Sequence, residues 1–203
     1  GASVRGGDVA EVRVSSRIQA YARTEAAAQA LARRVAVQVA NGRVSVEGPE
    51  RERGTGWSVS HDIQAPRQQD VSVTTSNGGV SVQDVRGRMT LRSSNGGVSL
   101  RRVGGAIQAR TSNGGINVEL EGGRFNGEGL DAETSNGGIS VTLPRDYSAD
   151  LEVGTTNGRL NLDVPLPEGY RSGQTVRTRL GSGGPRVRAV TTNGGVSVRR
   201  ASR

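Results

Sequence analysis

The chain has 203 residues, 33% hydrophobic but only 2% aromatic, with 31 glycines and no cysteine. That composition excludes an aromatic-filled core, a disulfide framework and a thiolate metal site, and the glycines are too many for a helix bundle and lack collagen's period. The formal charge is +8, carried by 27 arginines and no lysine; a GC-rich genome would produce the arginine bias, while the net charge favours acidic partners such as phosphate-bearing surfaces or acidic glycans.

No apolar run reaches 18 residues, so no membrane-spanning segment is expected. The chain opens at Gly1-Ala2-Ser3 without methionine or an apolar signal core. A removed signal peptide or anchor, or a trimmed chain, would explain that start.

From Val4 to Tyr21 apolar and polar side chains alternate, with Val9, Val12, Val14, Ile18 and Ala20 among Glu11, Arg13, Ser15, Arg17 and Gln19. That period of two predicts one or two strands. Residues 24–34 predict a helix: Thr24 can cap it, Glu25 sits in the first turn, and Arg33 and Arg34 sit in the last, each matching the helix dipole. Its thin apolar stripe (Ala27, Ala28, Leu31 and Val35) suits covering the open end of a strand stack, where backbone groups would otherwise be unpaired. Residues 35–40 and 43–47 flank Asn41-Gly42, a hairpin signal. A charged, glycine-punctuated loop at 48–56 precedes a strand at 57–64.

From Val71 one element keeps returning. Thr75-Ser76-Asn77-Gly78-Gly79-Val80-Ser81-Val82 recurs at Ser93–Leu100, Thr111–Val118, Thr134–Val141, Thr155–Leu162 and Thr191–Val198, with an echo at Asn41–Val46. The asparagines at 41, 77, 95, 113, 136, 157 and 193 are separated by 36, 18, 18, 23, 21 and 36 residues. Because 36 is twice 18, a degenerate copy is expected inside each long gap. Such self-similarity marks a solenoid or array.

An antiparallel meander with a hairpin at each Asn-Gly and a parallel solenoid both fit the pattern. Equal spacing and retention of the outward Ser and Thr favour the solenoid, in which stacked asparagines bond amide to amide and stacked glycines keep the corners clear. The expected fold is an all-β, single-domain parallel β-solenoid (β-helix) of ~18–21-residue repeats with one short N-terminal capping helix. Residues 1–70 would form the strand–helix–strand cap and first coils, and residues 71–203 the regular Asn-Gly-Gly repeats of one continuous domain. About eight coils at roughly 4.8 Å each would make a rod on the order of 40 Å long.

These units alternate with corners such as Val85-Arg86-Gly87-Arg88-Met89-Thr90-Leu91 and Val103-Gly104-Gly105-Ala106-Ile107 behind a strand–helix–strand. In this the chain resembles the bacterial putative-adhesin β-solenoid family, akin to head-GIN adhesin domains, from about Val9 to Val198. The resemblance implies an envelope-associated, non-enzymatic domain without agreed catalytic residues, often held by an N-terminal anchor.

The column Asn77, Asn95, Asn113, Asn136, Asn157 and Asn193 reads as a structural turn ladder, the alternative being a ligand ladder. Calcium-binding glycine arrays carry an aspartate in each turn, and these turns carry none. His61 and Asp62 make a poor catalytic pair, since adjacent strand residues face opposite ways. The acids Asp131 and Glu133, Asp146 and Asp150, and Asp163 and Glu168 are scattered rather than paired for glycosidic chemistry. The reading is a non-enzyme with no catalytic, cofactor-binding or metal residues and no cofactor.

Parallel stacking would set Arg110 beside Glu133 and Arg101 beside Glu119, surface pairs worth ~0–1 kcal/mol each. Arg86, Arg88, Arg92, Arg101 and Arg102 are less compensated and, with Arg110, form the candidate partner surface, either a solvated face or a docking face. One Trp, one Phe and three Tyr, none interleaved with the basic repeats, leave no base-stacking platform, which makes nucleic acid a poor partner. Two functions follow. The first is an extracytoplasmic binding or adhesion module using its polar, Arg-rich face on an acidic glycan, a surface or another envelope protein. The second is a rigid accessory subunit docked on the extracytoplasmic side of a membrane complex. Either would be membrane-associated through a partner or a removed anchor.

Overall fold

The computed structural model describes residues 1–40, 43–50, 52–166 and 175–201. The expected Asn41-Gly42 turn and Glu168 lie outside the described residues. The N-terminal part comprises β1 (Ala2–Gly7), β2 (Arg13–Tyr21), helix α1 (Glu25–Arg33), β3 (Ala36–Ala40), β4 (Arg43–Glu47) and β5 (Gly56–Pro66). Two-strand units follow: β6 (Val71–Asn77) with β7 (Val80–Gln83), β8 (Arg86–Asn95) with β9 (Val98–Arg101), and β10 (Gly104–Asn113) with β11 (Ile116–Glu119). Next come β12 (Gly129–Asn136) with β13 (Ile139–Leu143), and β14 (Ala149–Asn157) with β15 (Leu160–Leu162). The solitary β16 (Val176–Leu180) precedes the last unit, β17 (Arg186–Asn193) with β18 (Val196–Arg200).

The first strands of the units form a seven-stranded sheet ordered β16-β14-β17-β12-β10-β8-β6. The second strands join a nine-stranded sheet ordered β15-β18-β13-β11-β9-β7-β1-β5-β2. Neighbouring units pair parallel and in register, as with Ile107 on Met89 and Leu130 on Ile107. Alternation puts every second side chain inside: Met89, Leu91, Ala109, Ala132 and Ala189 from one sheet meet Val82, Leu100, Val118, Val141 and Val198 from the other, all buried. Aliphatic side chains on both walls let two sheets close on a narrow core that needs few aromatic rings.

The architecture is thus mostly β, solenoid-like and built with one helix, but its sheets are mixed. β2 pairs antiparallel with β5, and β16 antiparallel with β14, so the expectation of a uniformly parallel stack is corrected at both ends. The expectation of a hidden coil in each long gap is also corrected. Among the described residues, the stretch between Asn157 and Asn193 contributes the antiparallel β16 between β15 and β17, and the stretch between 41 and 77 contributes β4, β5 and β6 without an intervening Asn turn.

Stack order departs from chain order twice. β1 lies between β5 and β7, and the last unit, β17–β18, lies between β12–β13 and β14–β15. Charge explains the second departure. In chain order Asp131 of β12 would sit directly across from Glu152 of β14; the inserted β17 puts Arg188 in register with both. Like charges directly opposite on adjacent strands destabilise a sheet, and opposite charges stabilise it.

Helix α1 is capped as expected, the Ala27 N–H donating to Thr24 Oγ1 at 3.2 Å, with Glu25 in the first turn and Arg33 in the last. It packs on β2 at the end of the nine-stranded sheet and buries none of its residues fully. β3 and β4 pair antiparallel as a separate two-stranded sheet.

Candidate functional site: a basic side with a corner pocket

At each turn the asparagines form one ladder. The amide of Asn95 donates to Asn77, Asn113 to Asn95, Asn136 to Asn113, Asn193 to Asn136 and Asn157 to Asn193, at 2.8–3.0 Å. The amides therefore satisfy one another along the stack. Beside them runs a second column that the sequence reading missed by treating the motif's Ser and Thr as outward. Ser93, Thr111, Thr134, Thr191 and Thr155 are buried. Each donates its hydroxyl to a glycine carbonyl of the neighbouring turn at 2.7–3.1 Å. The alternation held the signal: Thr111 is two residues beyond Ala109 and four beyond Ile107, both buried, so it shares their face. The turn glycines permit this stacking; a Cβ at Gly114 would overlap the Gly96 carbonyl.

The six candidate arginines do not share one face. On β8 the buried Met89, Leu91 and Ser93 leave Arg86, Arg88 and Arg92 pointing outward, all exposed. Arg110 projects from the same side of β10, beside Arg92. Arg101 lies at the end of β9 on the opposite sheet, and Arg102 sits in the corner that follows.

Ion pairing divides them further. Arg101 meets Glu119 at 3.6 Å, and Arg110 meets Asp131 and Glu133 at 3.6 Å each. Arg102 donates from Nε and Nη2 to both oxygens of Asp84 at 2.7 Å. Those hydrogen bonds hold the Asp84 carboxyl down at about 2. Asp84 and Arg102 both adopt left-handed backbone, with φ of 59° and 50°, and this fork joins the two strained corners. Among the described residues, Arg86, Arg88 and Arg92 make no ion pair.

At that corner lies a polar pocket of about 490 Å³, lined by Arg86, Arg102, Glu121, Arg124, Asn126 and Tyr147, with the buried Phe125 behind. The Asn126 carbonyl accepts from the Gly105 N–H at 2.7 Å, and the Glu128 N–H donates to the Gly105 carbonyl at 2.9 Å. The Ser148 N–H donates to the Gly123 carbonyl at 2.8 Å, tying the next corner to the same loop. Burial pushes the Tyr147 phenol up, keeping it a neutral donor.

The remaining candidates separate. His61 Nδ1 lies 2.8 Å from the Ser16 hydroxyl rather than beside Asp62. Burial lowers its pKa. Ser16 and His61 are directly paired across β2 and β5, while Asp62 faces the other way. Asp131, Glu133 and Glu152 do converge, but around Arg188, at 2.6, 3.5 and 3.8 Å. A guanidinium fills the space that a pair of hydrolytic carboxylates would leave for substrate and water.

A two-sheet stack with an exposed Asn ladder, a buried Ser/Thr column beside it and a basic side is a repeat scaffold of the solenoid-like kind. More narrowly, the chain belongs to the family described as Toastrack DUF4097, whose model matches residues 11–199. No curated protein matches it. A solved structure, a putative cell adhesion protein from Clostridium sporogenes ATCC 15579, is similar over 98% of this chain and 87% of its own, with TM-score 0.50 and 10% sequence identity. That likeness concerns the fold. No helix among the described residues is long and apolar enough to cross a membrane.

Proposed function

We propose that this chain is a non-catalytic binding module of the cell envelope that docks an acidic glycan or surface on its arginine-bearing side. One observation carries the reading: among the described residues, the guanidiniums of Arg86, Arg88 and Arg92 stand exposed in one row on β8 without an ion pair, the nearby Asp70 carboxylate being taken by the Arg88 backbone N–H at 2.8 Å, whereas Arg101, Arg102 and Arg110 are each paired. Uncompensated guanidiniums on a rigid strand keep their charge and their fork geometry for an outside carboxylate or phosphate. The description of the Clostridium neighbour as an adhesion protein supports the same class of role. In this reading residues 1–70 form the cap and 71–203 the rod of one domain, on the extracytoplasmic side and held to the membrane through a partner or an anchor.

The test is binding to immobilised polygalacturonate and to neutral dextran. We expect salt-sensitive retention on the acidic polymer. It is lost in the Arg86→Gln/Arg88→Gln/Arg92→Gln variant and kept in Arg101→Gln/Arg110→Gln. Equal retention of both variants sinks the proposal. Pull-down of the tagged protein from native membranes tests the accessory-subunit alternative: companions at constant ratio would replace the adhesion reading.

A further inference from the structure

We infer that the corner pocket is a subsite for a single carboxylate-bearing sugar unit, a uronic acid, on the acidic glycan proposed above; the inference rests on that reading and deepens it. Its source is a break in the repeat. Asparagine spacing is 18 residues in the regular units but 23 from Asn113 to Asn136 and 21 from Asn136 to Asn157. Both enlarged units add their residues at one place. The first contributes Glu121–Gly127 to the pocket and the second contributes Tyr147, and they are joined there by the Arg124–Ser148 bridge. In repeat proteins, insertions on one face commonly build the binding face.

The insertion is shaped rather than slack. Gly127 has φ of 139°, and a Cβ there would overlap the Gly105 backbone, so the loop lies flat against the stack and leaves the cavity open beside it. The volume of about 490 Å³ falls within the roughly 300–1,000 Å³ usual for small-ligand sites.

Charge selects the ligand. Arg86, Arg102 and Arg124 face the pocket; Asp84 is bonded to Arg102, and Glu121 stands 4.0 Å from it. Three guanidiniums against two carboxylates leave one positive charge, which one carboxylate neutralises. A phosphate dianion would overshoot and meet Glu121. The Asn126 amide and the Tyr147 hydroxyl suit sugar hydroxyls.

The probe is a galacturonate trisaccharide titrated into the whole chain, read by calorimetry and by ¹⁵N shifts of the arginine Nε–H groups. We expect saturable binding that shifts Arg86 and Arg124. Affinity should fall tenfold or more in Arg124→Gln and several-fold in Tyr147→Phe. The methyl-esterified trisaccharide should not bind, and glucose 6-phosphate should bind more weakly. Unchanged affinity in both variants overturns the inference, as does equal binding of the neutral ester. If the polymer is retained through β8 while the trisaccharide does not bind, the pocket falls and the broader proposal stands. If neither binds, both fall.

Discussion

Arg188 is the side chain on which the stack order turns. It stands a quarter exposed between Asp131 and Glu133 on one neighbouring strand and Glu152, 14% exposed, on the other. Arg188→Gln keeps a polar end group but shortens the side chain, removes the charge and leaves two N–H donors in place of five. None of the acids is stranded, since Arg110 still reaches Asp131 and Glu133, and Arg177 and Arg186 still reach Glu152. The cost therefore falls well below the ~3–5 kcal/mol of breaking a buried pair and above the ~0–1 kcal/mol of an exposed one, at about 1.5 kcal/mol. For a domain of this size each kcal/mol moves Tm by about 2–4 °C, so a fall of roughly 3–6 °C is expected in thermal circular dichroism at pH 7. The effect should depend on pH. Burial raises the Glu152 pKa, but bonds from Arg177 and Arg186 outweigh it, and the net shift is downward. A depressed folded-state pKa stabilises the fold above the unfolded value and loses that stability as pH falls through the folded value. The difference between wild type and variant should shrink as pH falls below the ordinary glutamate value and Glu152 protonates. A shift under 1 °C at pH 7, or a difference that persists in acid, would refute the electrostatic account of the order.

Three further outcomes follow from the seam and the turns. Thr134→Val removes a hydroxyl that bonds the Gly114 carbonyl at 2.8 Å in a buried site; urea melts should show a loss of about 1–2 kcal/mol with unchanged m-value. Gly114→Ala drives a methyl into the Gly96 carbonyl and should leave little folded protein, whereas Gly123→Ala, with open space around its Cβ position, should express and melt like wild type. Asn113→Ala breaks two ladder bonds and Asn157→Ala one, so the first should cost about twice the second in the same melts.

The regular part of the stack was legible because an 18-residue step carries each side chain onto its own copy. That step set Arg101 beside Glu119 and made the asparagines a column. The inserted last unit was not legible, because every unit offers the same Asn, Thr and Gly columns, and any order of units satisfies them. Only the outward charges distinguish the orders, and Asp131, Glu152 and Arg188 become neighbours only once the units are stacked. The 36-residue gaps misled for a related reason: a length that holds two coils also holds an antiparallel strand such as β16 with its connection. The arginine surface was legible residue by residue but not as a face, since Arg101 lies on the opposite sheet from Arg88, Arg92 and Arg110. The spacings of 23 and 21 were visible from the start. That both irregularities meet at one corner is a property of the coil alone.

The claim that the β8 side is where this protein meets its ligand is tested most directly by hydrogen–deuterium exchange on the chain bound to polygalacturonate. The account predicts protection in the segments spanning 86–95 and 120–128, with the outer face of the nine-stranded sheet unchanged. Protection confined to that opposite face, or none at saturating polymer, would contradict it.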